Sequence, residues 1–480
     1  MIKNETKKNM KLIIIYLLYL FFIVVWYNNY TINNFIFDYS KDIFKWIIIG
    51  LIINFTSFLA IKKVEYNNLT LWFVGLSYFF MYGDVFIKKL KWNIELDWNP
   101  ILYYSDEVLF KSAYYINLCL LSLTLGSLLM TSSSDKNLSF SKKCNKSKYR
   151  IGLILMIIGF LSNLFTAVKI ILVTQSVGSY GVIDVDTTGI MDDLGFLFIP
   201  GVLYLLYSKK LNKKKTFFII FCTILYFLFY MLLSGNRKIQ IFSIISLILA
   251  YMKMKNYKIN IKRLFFIGIG SVFFLDIIYI IRKYRTNLNV IFQELIKSFV
   301  NFDIIKKLIG ESILEMGISF CSVASIITCV PSIFDYELGK TFLRTIPSCL
   351  PIGWLFPNFF SKATSTFVIN NYMKLPVGDS LLGDFFWNFG WGGILIAFLF
   401  GILLGKISKN FYLNKEEVYF SLFFTILPGV RTGFFELFRP IVIVTMVPLI
   451  LRYILNFKLL KKGRKLYENF ITWSNKLGIY

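Results

Sequence analysis

The residues equipped for chemistry fall into five short stretches. GDSLLGDFFWNFGWGGILIAFLFG (378–401) opens with Asp379 and Asp384 and runs on into an apolar segment. GESILEMG (310–317) sets Glu311 and Glu315 four residues apart, hence on one face of a helix. SGNRK (234–238) carries Arg237 and Lys238 in a very short turn, IIRKYRTN (280–287) carries Arg282 and Arg285 on a shared helix face, and PGVRTGFFELFRP (428–440) carries Arg431, Glu436 and Arg439. The chain has no histidine. A general base must therefore be a carboxylate, Tyr, Lys or Cys, and Asp379, Asp384, Glu311 and Glu315 are the candidates. Guanidinium forks match phosphate oxygens, and Gly235 lets backbone approach an anion closely. Arg237, Lys238, Arg282, Arg285, Arg431 and Arg439 are accordingly candidate holders of a diphosphate.

Each stretch also has a plainer structural reading. Long cationic side chains at span ends snorkel to the interface. The two glutamates suit a solvated helix face, and Asp384 suits a helix N-terminus and its partial positive charge. Arg431 in an apolar run suits an ion pair with Glu436, because an intramembrane arginine is costly unless paired or facing water. Glycines 390, 392, 393, 401 and 405, with a GxxxG in GILLG, argue for close helix packing.

The elements that must position these groups are long apolar runs. Of 480 residues, 56% are hydrophobic and 19% aromatic. Each run is near the roughly 20 residues with which an α-helix crosses about 30 Å of hydrocarbon, whereas a β-barrel needs short alternating segments that do not occur. The fold class expected is an all-α polytopic integral membrane protein. Spans are expected at about 11–27, 45–61, 69–87, 112–130, 151–174, 193–208, 216–233, 239–252, 264–281, 385–405, 417–434 and 440–457. The first is read as a span because its apolar run exceeds an ordinary signal-peptide core and no small-residue cleavage site follows.

The formal net charge of +26 resides in short links between the runs, a pattern that sets topology and does not point to nucleic acid. Strict alternation from a basic N-terminus places links 62–68, 131–150, 209–215, 253–263 and 406–417 inside, while the acidic link 176–193 falls outside. About twelve helices with both termini cytoplasmic follow. The divisions expected are an N-terminal bundle of about nine helices (1–281), a large extracytoplasmic loop (282–384), about three further helices (385–457) and a basic cytoplasmic tail (458–480). Within the loop, helices are expected around 290–300 and 305–330, and the Pro-rich IPSCLPIGWLFPN (346–358) suits the membrane interface. Six dispersed cysteines without CxxC spacing give no metal or redox signature.

A short GxR-type turn between spans, an arginine pair leaving a later span, an outer loop with EMGISF and LGKTFLRTIP, and then GDSLLGDFFWNFGWGGILIAFLFG together resemble the Wzy-type polymerases of bacterial O-antigen and capsular polysaccharide. The resemblance extends over about 150–450 and is strongest at 378–401. It implies a glycosyltransferase with an architecture related to GT-C-like membrane enzymes, working on the outer face of the bacterial cytoplasmic membrane. Such an enzyme moves a growing glycan from undecaprenyl diphosphate onto a lipid-linked repeat unit, without a cofactor or metal. Direct attack on the anomeric carbon implies inversion. Membrane lipid, a flippase and a chain-length regulator are the implied partners. A lipid-linked oligosaccharide flippase is the alternative from another class, but it should show two similar halves, which are not visible. An O-antigen ligase is the nearer alternative, although the outer-loop histidine frequent in ligases is missing.

Overall fold

The computed structural model describes residues 10, 13–22, 24, 25, 39–60, 67–92, 94, 99–130, 145–177, 189–235, 238–257, 280, 293, 302–350, 356–375, 377–411 and 415–476. Within them all regular structure is helical. The elements used below are α1 (Ile13–Phe22), α2 (Tyr39–Ala60), α3 (Leu69–Lys89), α4 (Asp106–Met130), α5 (Lys146–Val177), α6 (Gly189–Gly195), α7 (Phe198–Tyr207), α8 (Lys213–Ser234) and α9 (Lys238–Met254). After the next link come α10 (Phe302–Gly317), α11 (Ser319–Cys329), α12 (Lys340–Thr345), α13 (Leu381–Phe389), α14 (Gly393–Phe411), α15 (Glu416–Ile426) and α16 (Phe434–Lys476).

Eight helical segments among the described residues are long and apolar enough to cross a membrane: Leu69–Lys89, Asp106–Met130, Lys146–Thr174, Gly189–Tyr207, Lys213–Ser234, Ile309–Cys329, Leu381–Lys409 and Phe434–Leu455. Seven coincide with spans expected from the sequence. The eighth, Ile309–Cys329, comes from the stretch read as outer loop, where its helicity was expected but not its capacity to cross. The expected spans 11–27 and 45–61 fall on α1 and α2, whose apolar stretches among the described residues are Ile13–Phe22 and Phe44–Ser57. The expected span 239–252 lies within the 17-residue α9. The expected span 417–434 is not one helix: α15 ends at Ile426, a 3-10 turn follows over Leu427–Val430, and α16 starts at Phe434. Pro428 and Gly429 account for the break, one by lacking an N–H and the other by its backbone freedom. The expected span 264–281 lies outside the described residues except for Ile280.

Close helix packing rests on the glycines of the 378–405 region. An added Cβ at Gly401 would lie 2.0 Å from the Leu123 carbonyl oxygen, and one at Gly405 2.7 Å from that of Ser127. From the facing helix, a Cβ at Gly126 would lie 2.2 Å from the Phe398 carbonyl oxygen. α4 and α14 therefore touch backbone to backbone. A Gly401→Val chain is expected to lose about 1–3 kcal/mol or more through forced separation of these helices. The check is thermal unfolding in detergent, with Gly392→Ala as the tolerated control, since a Cβ there meets only the Phe389 Cβ at 3.6 Å.

The links sort into two ends of the bundle. At one end Lys148 pairs with Glu417 at 2.6 Å, the Asn145 N–H donates to the Ser208 carbonyl at 3.0 Å, and the Tyr419 hydroxyl donates to the Asn67 carbonyl at 2.8 Å. The charge of Lys253 acts there on Glu416. At the other end Lys238 pairs with Glu436 at 2.6 Å, and Arg439 pairs with Asp193. α9 itself joins the two, because Lys238 and Lys253 stand 15 residues apart, about 22 Å at helical rise. The first set comes from links that alternation places inside, and the second from links that it places outside.

Candidate functional site

α13 begins where Ser380, in extended conformation, caps it by accepting the Gly383 N–H at 3.5 Å. Asp379 precedes this cap and Asp384 lies one turn beyond it. Ser380, not Asp384, is thus the cap of this helix. Each aspartate instead serves a different segment. Oδ1 of Asp379 accepts from the Ser365 hydroxyl at 3.0 Å and from both the N–H and the hydroxyl of Thr366, at the start of the short helix Ser365–Val368. Oδ2 of Asp384 accepts the Phe434 N–H at 2.6 Å, at the first residue of α16. Both attachments suit carboxylates at helix N-termini.

Gly433 brings the two aspartates together. A Cβ added there would lie 2.6 Å from Oδ2 of Asp384 and 3.2 Å from Oδ2 of Asp379, so these oxygens are no more than about 5.8 Å apart. Both side chains are buried, and Oδ1 of Asp384 has no hydrogen-bond partner among the described residues. Burial raises the Asp379 carboxyl above its ordinary value; the negative charge of Glu436 adds to the rise, and the hydrogen bonds from Thr366 and Ser365 oppose it. The arrangement is a desolvated acid pair with one carboxylate oxygen unsatisfied, which is how a proton acceptor is poised.

The candidate cations divide between roles. Lys238 reaches this neighbourhood from the start of α9 and pairs with Glu436 on the first turn of α16. Arg431 sits two residues before Gly433, closing the 3-10 turn with its N–H on the Pro428 carbonyl at 2.9 Å. Arg439, one turn along α16 from Glu436, is engaged by Asp193 of α6, with its Nε buried and without a partner among the described residues. Arg237, Arg282 and Arg285 lie outside the described residues.

Glu311 and Glu315 occupy a different packing surface. α10 lies against α3, where a Cβ at Gly83 would come 2.4 Å from the Ile313 carbonyl oxygen. Glu311 is buried there, with Lys307 at 3.9 Å, so the solvated-face reading fails for it; Glu315 is half-buried. The structure brings Asp379, Asp384 and Lys238 towards one another around Gly433 and Glu436, and it carries the two glutamates on α10, which meets α3 through Ile313 and Gly317. Ser365, Thr366, Gly433 and Asp193 were missed by sequence reasoning. Only TSTFV (364–368), with hydroxyls at the beginning of a short helix, offered a local signal, as hydroxyl-rich helix starts do. Among the described residues no three His, Cys, Asp or Glu side chains gather in a metal-holding arrangement.

Helical spans packed through glycine contacts, with a buried acid pair and cations at one end, define a multi-pass α-helical membrane protein. Within that class, a family model described as O-antigen polysaccharide polymerase Wzy matches residues 10–464. The chain belongs to this family, and its general role is that of a membrane-embedded, glycosyltransferase-like polymerase in polysaccharide biosynthesis. No curated protein and no solved structure matches the chain.

Proposed function

We propose that the chain polymerises lipid-linked oligosaccharide repeat units on the outer face of the bacterial cytoplasmic membrane, with twelve spans, a GT-C-like architecture and both termini cytoplasmic. The growing glycan is the donor, carried on undecaprenyl diphosphate, and the non-reducing hydroxyl of a new lipid-linked repeat is the acceptor. In the transfer the acceptor oxygen bonds to the anomeric carbon, the bond from that carbon to the diphosphate oxygen breaks, and the hydroxyl proton passes to a carboxylate. Attack opposite the leaving group inverts the anomeric configuration. The observation that carries this reading is the convergence of Asp379 and Asp384 on Gly433, with Oδ1 of Asp384 unsatisfied.

Asp384 is the acceptor of the proton in this scheme. Asp379, fixed by three donors to Oδ1, tunes it by negative charge. Lys238 and Arg431, with Arg237, Arg282 and Arg285 of links that alternation places outside, stabilise the departing diphosphate. Arg439 holds Asp193 and steadies the start of α16.

The test is the size profile of lipid-linked and surface glycans in cells lacking the gene. Single repeat units accumulating on the outer face are expected. Accumulation confined to the cytoplasmic face would establish the flippase instead, and polymer retained on its lipid carrier would establish the ligase.

The raised pKa of Asp379 gives a pH prediction. Its charged form is lost as pH falls through a value above the 3.8 of a free aspartate. Polymerisation in proteoliposomes is therefore expected to decline on acidification at a higher pH than an unperturbed carboxylate would dictate. In the residual activity of Asp379→Asn this limb should move; an unmoved limb would remove Asp379 from the titration.

A further inference from the structure

The segment 338–350 has its polarity reversed. Thr341, Thr345 and Ser348 are 2%, 0% and 4% exposed, whereas Leu343, Ile346 and Leu350 are 67%, 56% and 57% exposed. A loop bathed in water would place these two sets the other way round, because apolar side chains gain free energy by leaving water and hydroxyls lose none by staying in it. The inner hydroxyls are satisfied within the protein. Thr341 exchanges hydrogen bonds with the Asn388 side chain at 2.7 and 3.0 Å, Thr345 donates to the Thr341 carbonyl at 2.8 Å, and Ser348 donates to the Thr345 carbonyl at 2.6 Å.

The charges in the segment suit a membrane boundary. Arg344 is neutralised by Glu337 at 3.0 Å and also donates to the Lys362 carbonyl at 3.1 Å. Lys340, at the beginning of α12, is exposed and has the flexible stem that lets an ammonium reach headgroups. On its inner side the segment is fastened to two spans. Asn388 of α13 also accepts the Gly339 N–H at 2.9 Å and donates to the Asp384 carbonyl at 2.8 Å. Phe342 meets Phe434, the first residue of α16, at 4.5 Å between ring centroids. One residue layer therefore separates the outward-facing Leu343 from the residue whose N–H binds Asp384.

We propose that residues 338–350 form a strap whose outer face is bathed in the acyl chains of the leaflet at the acid-pair end, making it the wall between the bilayer and the acid pair. Hydrocarbon is the adjoining medium because the strap is bonded to the beginnings of two spans, Leu381–Lys409 and Phe434–Leu455. The inference goes beyond the proposed reaction and stands on polarity alone, so its test reads depth and not activity. A strap in lipid sets the acid pair one residue layer away from the acyl chains in which a polyprenyl-linked substrate is anchored.

The experiment uses nitroxide labels on Leu343→Cys and Ile346→Cys, in a full-length chain with its six native cysteines replaced, reconstituted in phospholipid nanodiscs. High collision with oxygen and low collision with a water-soluble nickel chelate is expected, matching a label at Met446 of α16, which is 53% exposed. High collision with the chelate would place the strap in water, and low collision with both would mean a covering protein surface. Either result overturns the proposal. Should the cysteine-free chain fail to insert, a benzophenone amino acid at position 346 of the native chain gives the same decision, with photocrosslinks to phospholipid supporting it and crosslinks only to protein refuting it.

Discussion

Replacing Asp384 by Asn is expected to lower polymerisation by about two to four orders of magnitude, the usual worth of a general base, while the chain accumulates in the membrane at a normal level. The choice of substitution separates two roles that the geometry combines. Asp384 accepts the Phe434 N–H at the start of α16 through Oδ2, and its Oδ1 is the buried oxygen left without a partner. An asparagine side chain keeps an acceptor for the Phe434 N–H but cannot take the proton of an acceptor hydroxyl. If capping α16 were the only purpose of Asp384, Asp384→Asn would retain nearly all activity and Asp384→Ala would lose it along with stability. If Asp384 is the base, both variants are inactive and only the alanine chain is destabilised, by about 1 kcal/mol for the lost cap. Glycan length on the cell surface and thermal unfolding of the purified chain together read the difference.

Gly433→Ala is expected to cost nearly as much activity from a position with no chemistry of its own. The added methyl would fall 2.6 Å from Oδ2 of Asp384 and 3.0 Å from Cβ of Asp379. Neither neighbour can swing away freely. The first is held by the Phe434 N–H, and the second belongs to a side chain fixed by Ser365 and Thr366. The acid pair must move apart, and displacement of a reacting group by about 1 Å costs on the order of a hundredfold in rate. Overpacking should lower stability by about 1–3 kcal/mol. Gly378→Ala, next to Asp379, provides the comparison, because nothing lies within 4 Å of a Cβ added there. A Gly433→Ala chain with wild-type glycan lengths would show that the close approach of the two aspartates is not needed for polymerisation.

The charged stretches of the sequence were legible as a set but not as a site. Asp384 and Glu311 each carried a catalytic and a structural reading on spacing alone. Packing gives them different surroundings: α13 carries Asp384 to Gly433, and Glu311 is buried on α10, the helix that meets α3 through Ile313 and Gly317. Arg439, a candidate diphosphate holder, is paired with Asp193, 246 positions earlier. Glu436 looked suited to Arg431 by proximity in sequence, but the bond shown is to Lys238, 198 positions away. No local pattern encodes such pairings, since they form only when separate helices are fitted side by side.

Residues 309–329 illustrate the same limit at the level of the fold. Their helical character was readable from periodicity, but the stretch includes Glu311, Glu315 and a Gly-Ile-Ser join, and it was assigned to a loop. In the structure it is two helices, α10 and α11, meeting at Ile318 and fitted against α3 through Gly83 and Gly317, and together they are long and apolar enough to cross a membrane.

The sequence by itself determined that the chain is helical and membrane-embedded, because apolar runs of bilayer length leave the backbone few other ways to satisfy its hydrogen bonds. It also determined how the links sort between the two ends, because charge resists burial in hydrocarbon, and which residue types are available for chemistry in a chain without histidine. The tertiary structure alone decided which carboxylates meet, which cations are committed to ion pairs and which face of the strap points outward. Those outcomes depend on the close approach of backbones at Gly401 and Gly126 and of two side chains to the backbone at Gly433, and shape complementarity between distant segments is a property of the packed bundle, not of any one stretch.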